Sequence, residues 1–324
     1  VERFEITYSQ AEQSFVIPPG AVRPEGMALA IGFFDGVHLG HAEVIRKAVA
    51  AARERSQIPA VLTFDPHPRV VLGQDQYHTV LTPLADKLDL FASLGVEAAF
   101  VMKFNKEFSQ VPADKFVKEL LLTMGAKTAV VGFDFRFGHR GQGDASLLRI
   151  AAGGAIDVQV VDPVYREGVK VSSTRIRELL AEGDCEQAAA LMNRPYEVTG
   201  TVVHGKALGR QLGFPTANLD AAGAYVLPRH GVYAVKVRGA AGDSSEALNG
   251  VINVGVRPTV DEDGTVPKLE VHLLNFSGDL YGRSLKVQFR HYLRPEMKFG
   301  SLDDLVAQIR EDAIAAEEWL NAAK

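Results

Sequence analysis

The sequence predicts an α/β fold, a doubly wound parallel sheet, followed by a small antiparallel β-barrel with a C-terminal helix. Three observations carry this. Up to about residue 182, apolar runs of strand length alternate with amphipathic stretches of helix length. After Pro195 the texture changes to short runs rich in Val, Tyr and Phe, divided by Gly, Pro and Asn. The end of the chain returns to helical periodicity. A length of 324 residues leaves room for about two separately cored domains.

In the first part, strands are expected at 27–31, 60–64, 98–102, 128–131 and 158–161, with helices at 42–52, 83–94, 112–124 and 145–152. Strands that are apolar throughout and separated by helices describe a parallel sheet covered on both faces. In the second part, strands are expected at 197–203, 231–237, 250–254, 269–274 and 284–289, a spacing that suits a small barrel. The closing helix is expected over 301–323, with Ser301 as N-cap and Leu302, Leu305, Ile309 and Ile314 as its apolar stripe. The texture changes near 184–196, which sets the expected domains at 1–186 and 187–324.

Composition narrows the function. Hydrophobic and charged fractions of 47% and 23% are ordinary for a soluble protein, and no apolar run approaches the roughly 20 residues of a bilayer helix. Glu2, Arg3 and Glu5 do not resemble a secretory signal. The single cysteine, Cys185, cannot form an internal disulfide, so a cytoplasmic setting and an inert thiol are expected. With a net charge of −5 and no basic run, neither a nucleic-acid nor a membrane partner is expected.

Gly32-Phe33-Phe34-Asp35-Gly36-Val37-His38-Leu39-Gly40-His41 falls where a strand hands over to a helix. That junction in an open parallel sheet is where ligands bind, and a helix N-terminus offers N–H groups and positive dipole to an anion. Gly36 and Gly40 admit close backbone approach. His38 and His41 can face one phosphate, their protonated rings stabilising a pentacoordinate phosphorus and a pyrophosphate leaving group. A capping histidine beside a packed one is the plainer reading. A metal pair is a third, though no further ligand is marked out. Ser172-Ser173-Thr174-Arg175-Ile176-Arg177 places hydroxyls at an expected helix start and arginines in its first turn, which serves either a triphosphate or simple capping.

Together these strings resemble the nucleotidylyltransferase superfamily. With Thr63-Phe64-Asp65-Pro66-His67-Pro68 and Val131-Gly132-Phe133-Asp134-Phe135-Arg136-Phe137-Gly138, the chain resembles the bacterial bifunctional riboflavin kinase and FAD synthetase family over essentially its whole length. The resemblance implies a Rossmann-like nucleotidylyltransferase domain in which Gly32, Phe33, Phe34, Gly36, His38, Gly40 and His41 bind ATP. It implies that Ser173, Thr174 and Arg177 close over the phosphates, with His38, His41 and Arg177 catalytic. Phe64, Asp65, His67, Pro68, Asp134 and Arg136 are implied near the flavin, where Phe64, Phe133, Phe135 and Phe137 could stack on its ring. The family often has Asn where this chain has Phe33.

The second part carries its own chemistry. Gly200-Thr201-Val202-Val203-His204-Gly205-Lys206-Ala207 approaches a Walker A loop but ends in Ala207, without a strand-to-helix context, and is rejected. Gly205, Lys206, Gly209 and Arg210 form a glycine-rich loop able to wrap phosphates. In Gly213-Phe214-Pro215-Thr216-Ala217-Asn218, Thr216 and Asn218 are hard oxygen ligands suited to Mg²⁺, although the string alone reads as a strand-entry turn. Pro215-Thr216-Ala217-Asn218 resembles the metal-binding motif of riboflavin kinases, and Glu270 matches their catalytic base. Arg294, Glu296 and Phe299 match a segment beside the flavin.

The expected chemistry is phosphorylation of riboflavin to FMN and adenylylation of FMN to FAD, with ATP as co-substrate and Mg²⁺ as cofactor. A nucleotidylyltransferase for a pantetheine or nicotinate phosphate leaves the second part unexplained. A flavin-sensing protein leaves Thr216, Asn218 and Glu270 without a purpose.

Overall fold

The computed structural model describes residues 1–205, 213–221, 225–240, 246–258 and 265–323, the side chains of 257, 258 and 265–267 excepted. The chain divides into two compact units, Val1–Ser173 and Thr174–Lys324.

In the first unit, β1 (Glu2–Ser9), β2 (Ser14–Val16), β3 (Met27–Ile31), β4 (Ile58–Asp65), β5 (Ala98–Lys103), β6 (Ala126–Gly132) and β7 (Asp157–Val161) form one sheet. Its order is β2-β1-β5-β4-β3-β6-β7, parallel throughout except for the β1/β2 pair. The apolar runs have a simple cause. Met27, Leu29 and Ile31 of β3 pack into one core with Phe100, Phe116 and Leu120, while Ala30 packs into another with Ile45 and Val49 of the helix Leu39–Arg55. Both faces are therefore dry. From β3 the sheet grows one way through β4 and β5 and the other way through β6 and β7. The crevice beyond the carboxyl ends of β3 and β6 is thus the topological switch point. A hairpin of β8 (Tyr165–Arg166) and β9 (Val169–Lys170) follows β7.

The polar strand β1 was not expected. Its charges mask the pattern, because Ile6 is its only buried residue and most of the strand lies toward the sheet edge. The stretch expected as one helix at 112–124 is built from Ala113–Lys115, a π-helical Phe116–Leu121 and Leu122–Met124.

The second unit begins with the helices Ser173–Glu182, whose first residue belongs to the first unit, and Cys185–Met192. β10 (Tyr196–Val203), β11 (Ala217–Asp220), β12 (Gly231–Arg238), β13 (Leu248–Pro258), β14 (Thr265–Leu273) and β15 (Ser284–Arg294) then close into an antiparallel barrel. The order is β10-β11-β14-β13-β12-β15, and β15 returns to β10. Closure leaves no open sheet edge among the described strands of the barrel. β11 was not among the expected strands; it follows the strand-entry turn read at Phe214-Pro215-Thr216, and it is needed because it joins β10 to β14. The units divide ahead of 186/187 because the second helix packs on the barrel, where Glu186 pairs with His291 of β15.

The closing helix Leu302–Ala322 is capped as expected, Ser301 Oγ accepting the Asp304 N–H at 3.1 Å. Its buried face differs from the expected stripe. Leu302 and Ile314 are 57% and 58% exposed, whereas Asp312, Ala316 and Leu320 are buried. The sequence masks this face because it carries a charge: Arg294 Nε and Nη2 donate to the two Asp312 oxygens at 2.8 and 2.7 Å. Asp312→Ala strands a largely buried guanidinium, and the expected loss is about 3–5 kcal/mol in chemical denaturation. A loss under about 1 kcal/mol would place the pair in the screened, exposed class.

Among the described residues no helix is long and apolar enough to cross a membrane.

Candidate active sites

At the switch point, the turn between β3 and the helix Leu39–Arg55 is strained. Phe34, Gly36 and Val37 have φ of 56°, 87° and 39°, and a β-branched residue at positive φ is a clear outlier. Such a turn persists only when its surroundings fix it. The buried Asp35 carboxylate accepts the Leu81 and Thr82 N–H groups at 2.8 and 3.3 Å, and the Asp35 carbonyl accepts the Ser173 hydroxyl at 2.8 Å.

His38 is the helix N-cap, its Nδ1 accepting the His41 N–H at 3.3 Å. The capping reading therefore holds for His38. It assigns the ring proton to Nε2, the atom able to donate to an oxyanion. The two imidazoles stack with centroids 3.6 Å apart at 18°. Thr174, Arg175 and Arg177 lie at the start of the helix Ser173–Glu182, where Arg175 pairs with Glu178 and Glu182.

Lys87, on the helix Leu84–Ser93, was not singled out in sequence. It is 2% exposed, donates to the Phe33 carbonyl at 2.8 Å and lies 3.9 Å from the Phe33 ring centroid. Burial pushes its ammonium down from 10.5 to about 8, against the raising influence of Asp35 and Asp65. Unfolded, the group titrates near 10.5. Between the two values the unfolded chain holds a proton that the folded chain has released, so this contribution to stability rises with pH. Below about pH 8 the fold carries the full cost of the buried cation. The expected result is a positive slope of unfolding free energy against pH over that window, larger in the wild type than in Lys87→Met. Equal slopes would remove Lys87 as its source.

A cavity of about 410 Å³ opens in the same unit, walled by Phe64, Phe104, Phe108, Phe116 and Phe137. Its size falls within the roughly 300–1,000 Å³ of small-molecule sites. Of the residues expected near a flavin, Phe64, Pro68 and Arg136 line it, whereas Asp65, His67 and Asp134 do not. His67 instead caps the short helix Pro68–Val71, with its ring between Phe33 at 4.0 Å and Tyr77 at 4.7 Å. Phe135 stacks on Phe137 at 5.3 Å, and the exposed Phe133 sits under Lys170. Phe104, Phe108 and Phe116 were missed because nothing in their spacing separates cavity wall from core.

On the barrel, register brings the kinase candidates together. Asn218 of β11 opposes Glu270 of β14, which opposes Asn253 of β13. Directly opposed residues share a face. Leu269 and Val271 beside Glu270 are buried in the barrel, so the row Asn218, Glu270, Asn253 lies on its outer surface. Thr216 is exposed just before β11, and the Asn218 amide packs against Gly205, where a Cβ would stand 2.1 Å from Nδ2. Lys268 Nζ is 2.8 Å from Glu270 Oε2, and Asn253 Nδ2 donates to Glu296 Oε1 at 3.3 Å. Lys268 and Asn253 were not among the expected residues.

Arg294 is engaged by Asp312 and by the Pro295 carbonyl, with its guanidinium 5.9 Å from the Phe299 ring centroid. It acts as a tie between β15 and the closing helix, a role the expected flavin contact did not include. Beside this surface, Gly213, Pro215, His272, Asn275 and Phe276 line a cavity of about 460 Å³. His272 Nδ1 is 2.9 Å from the Pro215 carbonyl. Lys206, Gly209 and Arg210 lie outside the described residues.

Among the described residues no three His, Cys, Asp or Glu side chains converge on a metal position. Thr216 and Asn218 nevertheless fit Mg²⁺, which takes few protein oxygens and completes its shell with phosphate and water. Cys185 is buried, and burial pushes its thiol from 9.0 up to about 12, with Glu186 and Asp184 adding to the shift. An alkylating reagent at pH 8 is expected to label it only after unfolding; rapid labelling of the folded protein would contradict this burial.

Comparison with known proteins follows the same two-part division. The family model for FAD synthetase matches residues 21–175, and that for riboflavin kinase matches residues 192–320. Proteins named bifunctional riboflavin kinase/FMN adenylyltransferase from Listeria monocytogenes and Escherichia coli K12 are each 39% identical to this chain. The first alignment covers 88% of this chain and 89% of the relative, the second 93% and 95%. The chain belongs to this family. A solved structure described as a macrolide-efflux protein from Streptococcus pneumoniae shares the fold of this bifunctional family member, with a TM-score of 0.83 and 32% identity over 92% of this chain and 96% of that one.

Proposed function

We propose that the activities of the bifunctional riboflavin kinase/FMN adenylyltransferase family divide between the two units. The barrel phosphorylates riboflavin to FMN, and the parallel-sheet unit converts FMN to FAD. The functional boundary at 186/187 falls in the stretch 176–191 that neither family model matches. The observation that carries this reading is that His38 and His41 stack on each other within the parallel-sheet unit, whereas Asn218 and Glu270 oppose each other on the barrel, each pair inside its own unit.

In the barrel, the ribityl 5′-oxygen attacks the γ-phosphorus of ATP, its proton passes to the Glu270 carboxylate, and ADP leaves. Thr216 and Asn218 would hold Mg²⁺, which would neutralise the phosphate charge when bound. Lys268 keeps Glu270 oriented along β14. In the parallel-sheet unit, a phosphate oxygen of FMN attacks the α-phosphorus of ATP and pyrophosphate leaves. The attacking oxygen is already an anion, so the protein's part is positioning and charge stabilisation. The N–H groups at the start of the helix Leu39–Arg55, with His38 and His41, supply these, and the aromatic cavity takes the isoalloxazine ring. Flavins and adenine nucleotides are then the partners, in a cytoplasmic setting consistent with a single buried thiol.

Incubating the protein with riboflavin and Mg-ATP is expected to yield FMN first and FAD after it, resolved by chromatography. FMN without FAD would remove the second activity. Bound flavin without turnover would favour a sensing protein.

A further inference from the structure

The adenylyl-transfer site depends on a turn that is costly to hold, and the least explained group around it is a buried cation. Lys87 is 2% exposed and reaches from the helix Leu84–Ser93 to the Phe33 carbonyl at 2.8 Å. That carbonyl already accepts the Thr63 hydroxyl at 3.0 Å, so satisfying it does not require a charged group. The ammonium also lies 3.9 Å from the centroid of the Phe33 ring, within cation–π range. Next along the chain come Phe34, Gly36 and Val37, all at positive φ, and then the capping His38. Asp35 anchors this turn from its middle through Leu81 and Thr82, three and two residues before the start of the helix that carries Lys87. The turn is thus gripped at Phe33 by Lys87 and at Asp35 by the segment leading into the same helix.

We propose that Lys87 is a positioning residue for adenylyl transfer: by holding Phe33 from both its carbonyl and its ring, it fixes the strained turn that aims His38 and the helix N-terminus. The proposal rests on the reading of this site as the one that makes FAD. Burial lowers the affinity of Lys87 for its proton, so the protein keeps a charge here at a cost, as functional sites do and structural cores rarely do. Phe33 acts as the handle. Its ring is the surface on which the cation rests, which gives the position after Gly32 a mechanical part beside any contact with nucleotide.

The test uses Lys87→Met, which keeps the length of the side chain and removes the charge, in the full chain. Hydrogen exchange of peptides covering 33–38 is expected to rise at least about tenfold, because the opening of a strained turn is no longer opposed. With FMN supplied, kcat for FAD formation is expected to fall roughly tenfold to a hundredfold with a smaller change in the KM for ATP, as misplacement of reacting groups predicts. Riboflavin phosphorylation by the same sample is expected to hold, and its melting temperature is expected not to fall, since the cost of the buried cation is removed with it. Unchanged exchange at 33–38 would overturn the proposal, and so would a parallel fall in both activities and in thermal stability, which would make Lys87 a general support of the fold. If the wild type itself makes no FAD, the activity reading fails, while the exchange measurement still decides whether Lys87 fixes the turn. Lys87→Arg retains the charge, and partial recovery of FAD formation relative to Lys87→Met is expected; activity no better than Lys87→Met with equally raised exchange would count against a role for the charge.

Discussion

Replacing Glu270 by Gln is expected to lower riboflavin phosphorylation by roughly a hundredfold to ten-thousandfold, the range set by loss of a positioned general base. The change is nearly isosteric, and the residue sits on the outer face of the barrel between Asn218 and Asn253, so the buried neighbours Leu269 and Val271 keep their packing. Gln can still accept from Lys268, now 2.8 Å from the carboxylate, but it cannot take the proton of the ribityl hydroxyl. Adenylylation of supplied FMN is expected to continue at the wild-type rate. Retained kinase turnover would remove Glu270 as the base, and the proton would need another acceptor.

His41→Ala is expected to have the opposite signature. Removing one preorganised charge-stabilising donor commonly costs about a hundredfold to a thousandfold in rate. Here the loss should lie toward the upper end, because the His38 ring also loses the partner stacked on it at 3.6 Å. The cap itself survives, since His38 Nδ1 accepts the backbone N–H of residue 41 and not its side chain. FAD formation from FMN should therefore collapse in a folded protein that still makes FMN from riboflavin. Equal loss of both activities would contradict two separate sites.

Much of this organisation was legible in the chain, and the reasons differ by element. The parallel core was visible because strands such as β3 are buried on both faces and read as unbroken apolar runs. β1 escaped because, next to the three-residue edge strand β2, it keeps most of its side chains exposed or half-exposed and so carries charges, and β11 because four residues, Ala-Asn-Leu-Asp, have little strand character without the barrel that pairs them. The stripe of the closing helix was misplaced because its buried face includes Asp312, satisfied by Arg294 from a distant strand. Lys87, Asn253 and Lys268 were invisible for a similar reason. Nothing marks an isolated lysine or asparagine until folding sets it against Phe33, Glu296 or Glu270. Position was easier to read where local geometry sets it, as with His38 at a helix N-cap, than where three-dimensional packing decides which side chains wall a cavity, as with Asp65, His67 and Asp134, which do not line the aromatic one.

The most direct test of two independent sites in one chain is to follow riboflavin with Mg-ATP in three samples: Glu270→Gln, His41→Ala, and an equal mixture of both. The first is expected to leave riboflavin unchanged, the second to stop at FMN, and the mixture to form FAD from FMN released by one variant and taken up by the other. FAD formed by His41→Ala alone, or no FMN from it, would contradict the account.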